Sequence, residues 1–206
     1  MIMRKNHKAQ SRKAEILETY YQVLLEEGFE GTSIGKIAKR MNIHPSLIIH
    51  YFKTKENMTT ELVNLLIEKY EAPEFLQFDH IDDLEQRFQA MIDTVFSFEW
   101  SRTIDPGLHF GFYYLSFRNP KIREAYEAMI QRFRDYLEGE LTFYQKAGII
   151  KTNNAKSAAG VIVTLMEGLE FHAQFLSEGR PFENFANYAK QLVFSMLKGE
   201  TFSSDT

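Results

Sequence analysis

The chain has 206 residues, of which 44% are apolar, 25% charged and 14% aromatic, a composition typical of a globular protein. Because it contains no cysteine, disulfides, thiolate catalysis and cysteine-ligated zinc are excluded. No apolar run reaches the roughly 18 residues of a membrane-spanning helix, and the polar, basic N-terminus is unlike a secretory signal peptide. We therefore expect a cytoplasmic protein.

The formal net charge of −4 is unevenly distributed along the chain. Residues 1–60 contain 10 lysines and arginines against 6 acidic residues, whereas the remaining positions contain 14 against 22. This asymmetry indicates that only the front of the chain meets a polyanion. A solvated basic tail explains the same pattern, so charge alone leaves both interpretations open.

The apolar residues of the first 70 positions recur at spacings of three and four, which predicts helices over residues 10–27, 34–41, 45–52 and 54–70. Gly28 stands where a helix C-terminus favours a left-handed residue, and Thr32 and Ser33 offer N-caps for the second helix. Asn42 suits a left-handed turn, and Pro45 suits the first position of the third helix.

The rest of the chain shows the same helical periodicity. It predicts five further amphipathic helices, over residues 82–99, 105–117, 120–147, 155–178 and 182–198, separated by Gly, Pro and Asn. No period-two strand pattern is present. The predicted fold is therefore all-α, with about nine helices.

The second and third helices, joined by a short turn, form a helix-turn-helix. In such a motif the later helix enters the major groove: Ser46 and His50 would hydrogen-bond to bases, and Ile49 would touch a thymine methyl. Other residues around the motif would contact phosphates, which position a protein without reading sequence. The complete predicted DNA-binding set is Thr32, Ser33, Lys36, Pro45, Ser46, Ile49, His50, Tyr51 and Lys55. Pattern alone also allows a packed corner of an ordinary helical protein.

Three segments resemble the signature of the tetracycline-repressor family: Thr32-Ser33-Ile34-Gly35-Lys36-Ile37-Ala38, then Ile43, then His50-Tyr51-Phe52-Lys53-Thr54-Lys55-Glu56-Asn57-Met58. The resemblance covers the whole predicted DNA-binding domain. It implies a dimeric, ligand-responsive repressor whose C-terminal helices form an effector pocket and a dimer interface. Three residues depart from the family signature: Asn42 stands in place of the usual glycine, Pro45 in place of a polar or basic residue, and Ile49 in place of a tyrosine. These departures affect which operator sequence is recognised rather than the fold.

An aromatic segment between residues 100 and 117, together with side chains on other helices, is the predicted effector site. Its residues are Leu66, Met91, Trp100, His109, Phe110, Tyr113, Tyr114, Tyr126, Met129, Phe133, Met166 and Glu170. Such an aromatic stripe also suits a plain core. Glu170 would favour a cationic ligand, or it would be solvated or engaged in a salt bridge.

The last two long helices are the predicted dimer interface, as the resemblance implies. The residues concerned are Leu165, Gly168, Leu169, His172, Phe185, Tyr188, Leu192 and Met196. The alternative is that both apolar stripes pack inside one subunit.

We therefore predict a transcriptional regulator, most simply a repressor that a small apolar or aromatic effector releases from a palindromic operator. The predicted partners are double-stranded operator DNA, the effector and a second copy of the chain; no cofactor, metal or catalytic site is predicted. A helical protein-binding adaptor and a small-molecule enzyme are the alternatives. The predicted domains are a basic arm over 1–9, a helix-turn-helix domain over 10–56, a ligand-binding and dimerisation domain over 57–200 and a loose tail over 201–206.

Overall fold

The computed structural model describes residues 2–70, 76–103, 105–176 and 181–199, with side chains described from residue 11 and not over 67–70. Within these ranges the regular structure consists of ten α-helices, which confirms the all-α prediction. They are α1 (Ile2–Gly31), α2 (Ile34–Arg40), α3 (Pro45–Phe52), α4 (Lys55–Tyr70), α5 (Leu84–Val95), α6 (Phe98–Ser101), α7 (Pro106–Ser116), α8 (Pro120–Lys146), α9 (Ala155–Phe175) and α10 (Phe182–Lys198).

Helix α1 is longer than the sequence predicts. It begins at Ile2, so the residues that we predicted as an N-terminal arm form its first turns. This stretch contains neither glycine nor proline before Gly28, and nothing in it stops a helix. Gly28 has φ 68° and ψ 179°, a non-helical conformation that kinks the end of α1 where we predicted a left-handed residue.

The helix-turn-helix has the predicted caps. Ser33 is the N-cap of α2, and its side chain accepts a hydrogen bond from the Lys36 amide at 3.2 Å. Asn42 has φ 52° in the turn, and Pro45 begins α3. These local preferences place the start of α3 at the residue that the sequence predicts, and α3 ends at Phe52, where Lys53 has φ 67°.

One predicted helix is wrong: residues 82–99 form two helices. Phe96 ends α5, and the Ser97 hydroxyl oxygen accepts a hydrogen bond from the Trp100 amide at 3.0 Å, which starts the four-residue α6. A serine side chain that caps a new helix competes with continuation of the old one. Helix α9 also ends early, at Phe175; the last two residues of its predicted range lie outside the described residues.

The chain forms two compact units. The first comprises Met1–Glu71 and Ile104–Glu127, and the second comprises Ala72–Thr103 and Ala128–Thr206. Helix α7 therefore belongs to the same unit as the helix-turn-helix, because Phe112 of α7 packs edge-on against Phe29 of α1 at 5.4 Å. The predicted boundary after residue 56 falls inside α4, and the functional division there stays a prediction. The predicted tail, residues 201–206, lies outside the described residues.

The second unit is built on an apolar core shared by α5, α8, α9 and α10. Phe88, Ile92, Leu137, Ile162 and Val193 are fully buried there. Helices α9 and α10 pack against each other. In the part of the chain that is described, no helix is both long and apolar enough to cross a bilayer.

Candidate DNA-binding surface and effector site

Helix α3 has one buried and one exposed face. Ile48 and Phe52 are buried in the first unit, whereas Ser46, Ile49 and His50 are exposed. The buried side chains fix the helix to its neighbours, since each removes apolar surface from water. The opposite face can present the hydrogen-bonding groups of Ser46 and His50, and the apolar side chain of Ile49, to a DNA groove.

Ser46 is oriented by the residue that caps its own helix. The His44 Nδ1 atom accepts a hydrogen bond from the Ser46 amide at 3.3 Å, and the same nitrogen lies 2.7 Å from the Ser46 hydroxyl oxygen. Because this Nδ1 atom acts as an acceptor, the Ser46 hydroxyl donates its hydrogen to it. The lone pairs of the Ser46 oxygen therefore remain to accept a hydrogen bond from a base.

Thr32 and Lys55 do not lie as we expected. The Thr32 side chain is buried and donates to the Gly28 carbonyl oxygen at 2.6 Å, which corrects the expectation that it is open to a phosphate. The Lys55 Nζ atom donates to the carbonyl oxygens of Phe29, at 2.9 Å, and Thr32. Burial lowers the pKa of Lys55. Both side chains stabilise the end of α1, and a phosphate contact by Lys55 stays a prediction.

The remaining predicted DNA-binding residues lie around the motif. Ser33 is exposed, and Lys36 is exposed in an ion pair with Glu27 of α1. Tyr51 is half-buried, with its ring edge-on to His50 at 5.5 Å. Lys36 would have to leave Glu27 to reach a phosphate, and its DNA contact stays a prediction.

The predicted effector residues of the first unit fall into two groups. The Tyr126 hydroxyl lies 3.1 Å from His109 Nδ1. The His109 ring also meets Phe110 edge-on at 5.2 Å. Tyr113 and Tyr114, in contrast, are more than half exposed, as expected of a surface rather than a closed pocket. A sixth residue of the set, Leu66 of α4, is buried.

Three predicted effector residues of the second unit form one cluster. The Trp100 ring stacks on Phe133 with centroids 5.3 Å apart, and its Nε1 atom donates to the Met166 sulfur at 3.2 Å. Met129 is half-buried, whereas Met91 is fully buried in the core, so packing alone explains Met91. The three clustered residues come from α6, α8 and α9, and their place in an effector site stays a prediction.

Glu170 forms a salt bridge with Arg102, which confirms one of the alternatives that we considered for it. The Arg102 Nη1 atom lies 2.8 Å from one Glu170 carboxylate oxygen and 3.1 Å from the other. Gln174 donates to the same carboxylate at 3.2 Å. Among the described residues, no three side chains of His, Asp or Glu lie close enough together to hold a metal ion.

Sequence reasoning missed Arg102. It is 68 positions from Glu170, and helical periodicity relates only residues within one helix. Its guanidinium lies over the rings of Phe98, at 4.9 Å, and Phe182, at 5.9 Å. The one available signal was an arginine two residues after Trp100 and four after Phe98.

The predicted dimer residues include both core and surface positions. Leu169 is buried in the core of its own unit, and Leu165, Phe185 and Met196 pack against that core, so packing inside one subunit is correct for Leu169. Gly168, Tyr188 and Leu192 are exposed. His172 lies on Phe185 with ring centroids 4.2 Å apart, and its buried Nδ1 atom has no hydrogen-bond partner among the described residues.

The helix-turn-helix with its exposed recognition face, followed by further helices, defines the class of DNA-binding transcription regulators. Residues 16–62 match the family described as bacterial regulatory proteins, tetR family. Residues 83–199, more than half of the chain, match the tetracyclin repressor-like C-terminal domain. The chain therefore belongs to the tetR family of regulators, and it is a DNA-binding, ligand-responsive transcription regulator.

Individual relatives agree with this assignment. The regulator PksA of Bacillus subtilis is 33% identical over 60 residues, a segment that covers 29% of either chain. The regulator BetI of Burkholderia lata is 21% identical over 161 residues, which cover 77% of this chain and 79% of that one.

Solved structures of similar chains show the same fold. A TetR transcription regulator from Haloarcula marismortui has a TM-score of 0.79 at 16% identity, covering 91% of this chain and 99% of that one. A transcriptional regulator from Saccharomonospora viridis, in complex with choline, has a TM-score of 0.78 at 17% identity, covering 91% and 98%.

Proposed function

We propose that the protein is a homodimeric repressor that binds a near-palindromic operator and is released from it by a small apolar or aromatic effector. The observation that carries this proposal is the exposed face of α3, where Ser46, Ile49 and His50 are open while the opposite face is buried. Repression follows because a dimer bound over a promoter blocks polymerase. This role places the protein in the cytoplasm, with the chromosome.

Each exposed α3 residue has a distinct role in this proposal. Ser46, whose hydrogen is engaged by His44, accepts a hydrogen bond from the amino group of an adenine or cytosine. Ile49 contacts a thymine methyl, and His50 hydrogen-bonds a neighbouring base edge. Ser33, Lys36, Tyr51 and Lys55 contact phosphates, which add affinity without sequence preference.

Exposed apolar side chains on the last two helices support the proposed dimer. Helix α9 exposes Val161, Phe171 and Phe175, and α10 exposes Tyr188 and Leu192. Burying such side chains against a second copy removes apolar surface from water at about 25 cal/mol per Å². A twofold dimer places two α3 helices on successive major-groove faces, roughly 34–36 Å apart.

We place the effector site in the second unit, where Trp100, Phe133 and Met166 form a cluster of two aromatic rings and a thioether. The choline complex of the Saccharomonospora viridis regulator supports a small-molecule site in a chain of this fold. We infer that the effector acts on DNA affinity through α4, whose first residue, Lys55, holds the end of α1. Because coupling is reciprocal, operator DNA weakens effector binding by the same factor.

A charge placed on α3 tests the proposal. Ile49→Glu should reduce binding to a mixed pool of duplex DNA by about a hundredfold or more, since a carboxylate facing phosphates is repelled. Phe143→Glu is the matched control, because Phe143 of α8 is equally exposed and lies in the other unit. Equal DNA affinities for the two variants, measured by fluorescence anisotropy, would show that α3 does not face DNA.

A further inference from the structure

We propose that the Arg102–Glu170 pair is a binding site for an organic cation that the protein's own arginine fills when no ligand is present. An effector of this class displaces Arg102 and takes its place against Glu170. The inference names the ligand class of the proposed effector site, and its effector role rests on the proposed function.

The carboxylate is the fixed member of the pair. The Glu170 side chain is 12% exposed and belongs to α9, a helix of 21 residues that packs along α10. Gln174, one turn further along α9, donates to the carboxylate at 3.2 Å. A carboxylate held this firmly and so little exposed needs a positive partner, because an unpaired charge in such a place is costly.

Arg102 is the more easily displaced member. Its side chain is 26% exposed, and the residue follows α6, a helix of only four residues. A single helical turn has few internal hydrogen bonds to lose when it shifts. Arg102 can therefore leave at lower cost than α9 can move.

The surroundings of the guanidinium also favour a cation. It lies over Phe98 at 4.9 Å and over Phe182 at 5.9 Å, and the two rings meet edge-on at 5.7 Å. Aromatic faces attract cations and repel anions, because the face of the ring carries the negative part of its quadrupole. An anionic ligand that paired with Arg102 would leave Glu170 unpaired.

The neighbouring cluster indicates what the cation carries. Trp100 precedes Arg102 by two residues and stacks on Phe133. Its Nε1 atom donates a hydrogen bond to the sulfur of Met166, which lies one helical turn before Glu170 on α9. An aromatic or apolar group attached to the ammonium would lie against this cluster while the charge meets Glu170. The preferred ligand is therefore an ammonium or quaternary ammonium compound with an apolar substituent.

The single tryptophan of the chain provides a direct measurement, because all tryptophan fluorescence comes from Trp100 beside the site. The wild-type protein without DNA is titrated with benzyltrimethylammonium, with its uncharged isostere (2,2-dimethylpropyl)benzene and with phenylacetate. We expect a saturable change in emission for the ammonium compound only. A response to phenylacetate alone, or equal responses to the ammonium compound and its uncharged isostere, would overturn the proposal.

Two substitutions should move the affinity in opposite directions. Arg102→Met removes the internal competitor and should tighten binding of benzyltrimethylammonium about tenfold, whereas Glu170→Gln removes the counter-charge and should weaken it about tenfold. Arg102→Lys, which keeps a charge but loses the planar fork, serves if Arg102→Met does not fold and should also bind more tightly than wild type. Unchanged or weaker binding by the folded Arg102 variants would contradict the self-filled site.

A second ion pair of the same unit supplies the matched control. Lys190 lies 3.0 Å from Asp93 and is 24% exposed, close to the exposure of Arg102. Lys190→Met should leave the affinity for benzyltrimethylammonium unchanged, and a tenfold gain in this variant would show that any broken ion pair has the same effect. DNA affinity of the wild-type protein is measured separately. If the protein binds DNA but its fluorescence does not respond to benzyltrimethylammonium, this inference alone is overturned. If it does not bind DNA, the proposed function is overturned.

Discussion

The Lys55 Nζ atom lies 2.9 Å from the carbonyl oxygen of Phe29 and so joins the first residue of α4 to the end of α1. The last carbonyls of a helix have no partner within it, and a positive charge there also interacts favourably with the helix dipole. Lys55 follows the recognition helix α3 by three residues. The bond therefore fixes the position of α3 relative to α1.

Replacing this lysine should destabilise the protein even without DNA. Lys55→Met should lower the free energy of unfolding by about 1–3 kcal/mol, because hydrogen bonds from a charged group are lost and two carbonyls are left without their donor. Urea denaturation measures the change, and Lys39→Met on α2 is the exposed control. Equal stabilities of the two variants would refute the structural role. If Lys55 also contacts a phosphate, Lys55→Met should reduce by about one the slope of the logarithm of DNA affinity against the logarithm of salt concentration.

Gly111 of α7 is required by its contact with α1. A Cβ atom at this position would overlap the ring of Phe29, so Gly111→Ala should lower the free energy of unfolding by about 1–3 kcal/mol. Gly139→Ala on α8 is the matched control: apart from its chain neighbours and the backbone of its own helix, no described atom lies within 4 Å of its Cβ position, and it should stabilise by up to about 1 kcal/mol. Thermal denaturation of both variants gives the sign. Stabilisation by Gly111→Ala would mean that α7 does not pack closely on Phe29.

Glu140 on α8 predicts a pH dependence of stability. Burial and the nearby Asp79 raise the pKa of its carboxyl group above that of the unfolded chain. The folded state then holds the proton more tightly, so stability falls as pH rises from the unfolded pKa through the folded one. Glu140→Gln should therefore be more stable than wild type at about pH 8 and equal to it below the unfolded pKa of about 4.3. A stability difference that does not vary with pH would contradict this account.

Leu169 and Leu192 separate core packing from dimer formation. Leu169 is 7% exposed in the core of the second unit, whereas Leu192 on α10 is 39% exposed. Leu169→Arg should unfold the protomer, because it buries an unpaired charge. Leu192→Glu should give folded monomers if α10 forms the proposed interface. Sedimentation and circular dichroism distinguish the two results, and a folded dimer of Leu192→Glu would exclude this residue from the interface.

The features predicted correctly depend on neighbours in the sequence. Ser33, Asn42 and Pro45 each act through the local backbone, so their types predict where α2 and α3 begin and where the turn between them lies. The same reasoning failed at Ser97, because a serine inside an apolar helical pattern does not show whether its side chain will cap a new helix. The family resemblance supplied the biological role, which periodicity does not contain.

The features that were missed depend on pairs that are far apart in the sequence. Arg102 and Glu170 are 68 positions apart, and Lys55 is 26 positions from Phe29. Nothing in the spacing indicates that an exposed-looking lysine bonds to the end of α1. Likewise, the apolar stripe containing Leu169 is compatible with a core or an interface, and only the packing of α9 in its unit decides between them.

Selection of bound sequences from a pool of random DNA duplexes tests the central claim most directly. The exposed face of α3 and the proposed twofold dimer predict an enriched site of two inverted half-sites, with centres separated by about one helical turn of 10–10.5 base pairs or a multiple of it. Ile49→Ala should change the preferred base at one position of each half-site. Enrichment of no sequence, or of a single half-site without symmetry, would contradict the account of a dimeric operator-binding repressor.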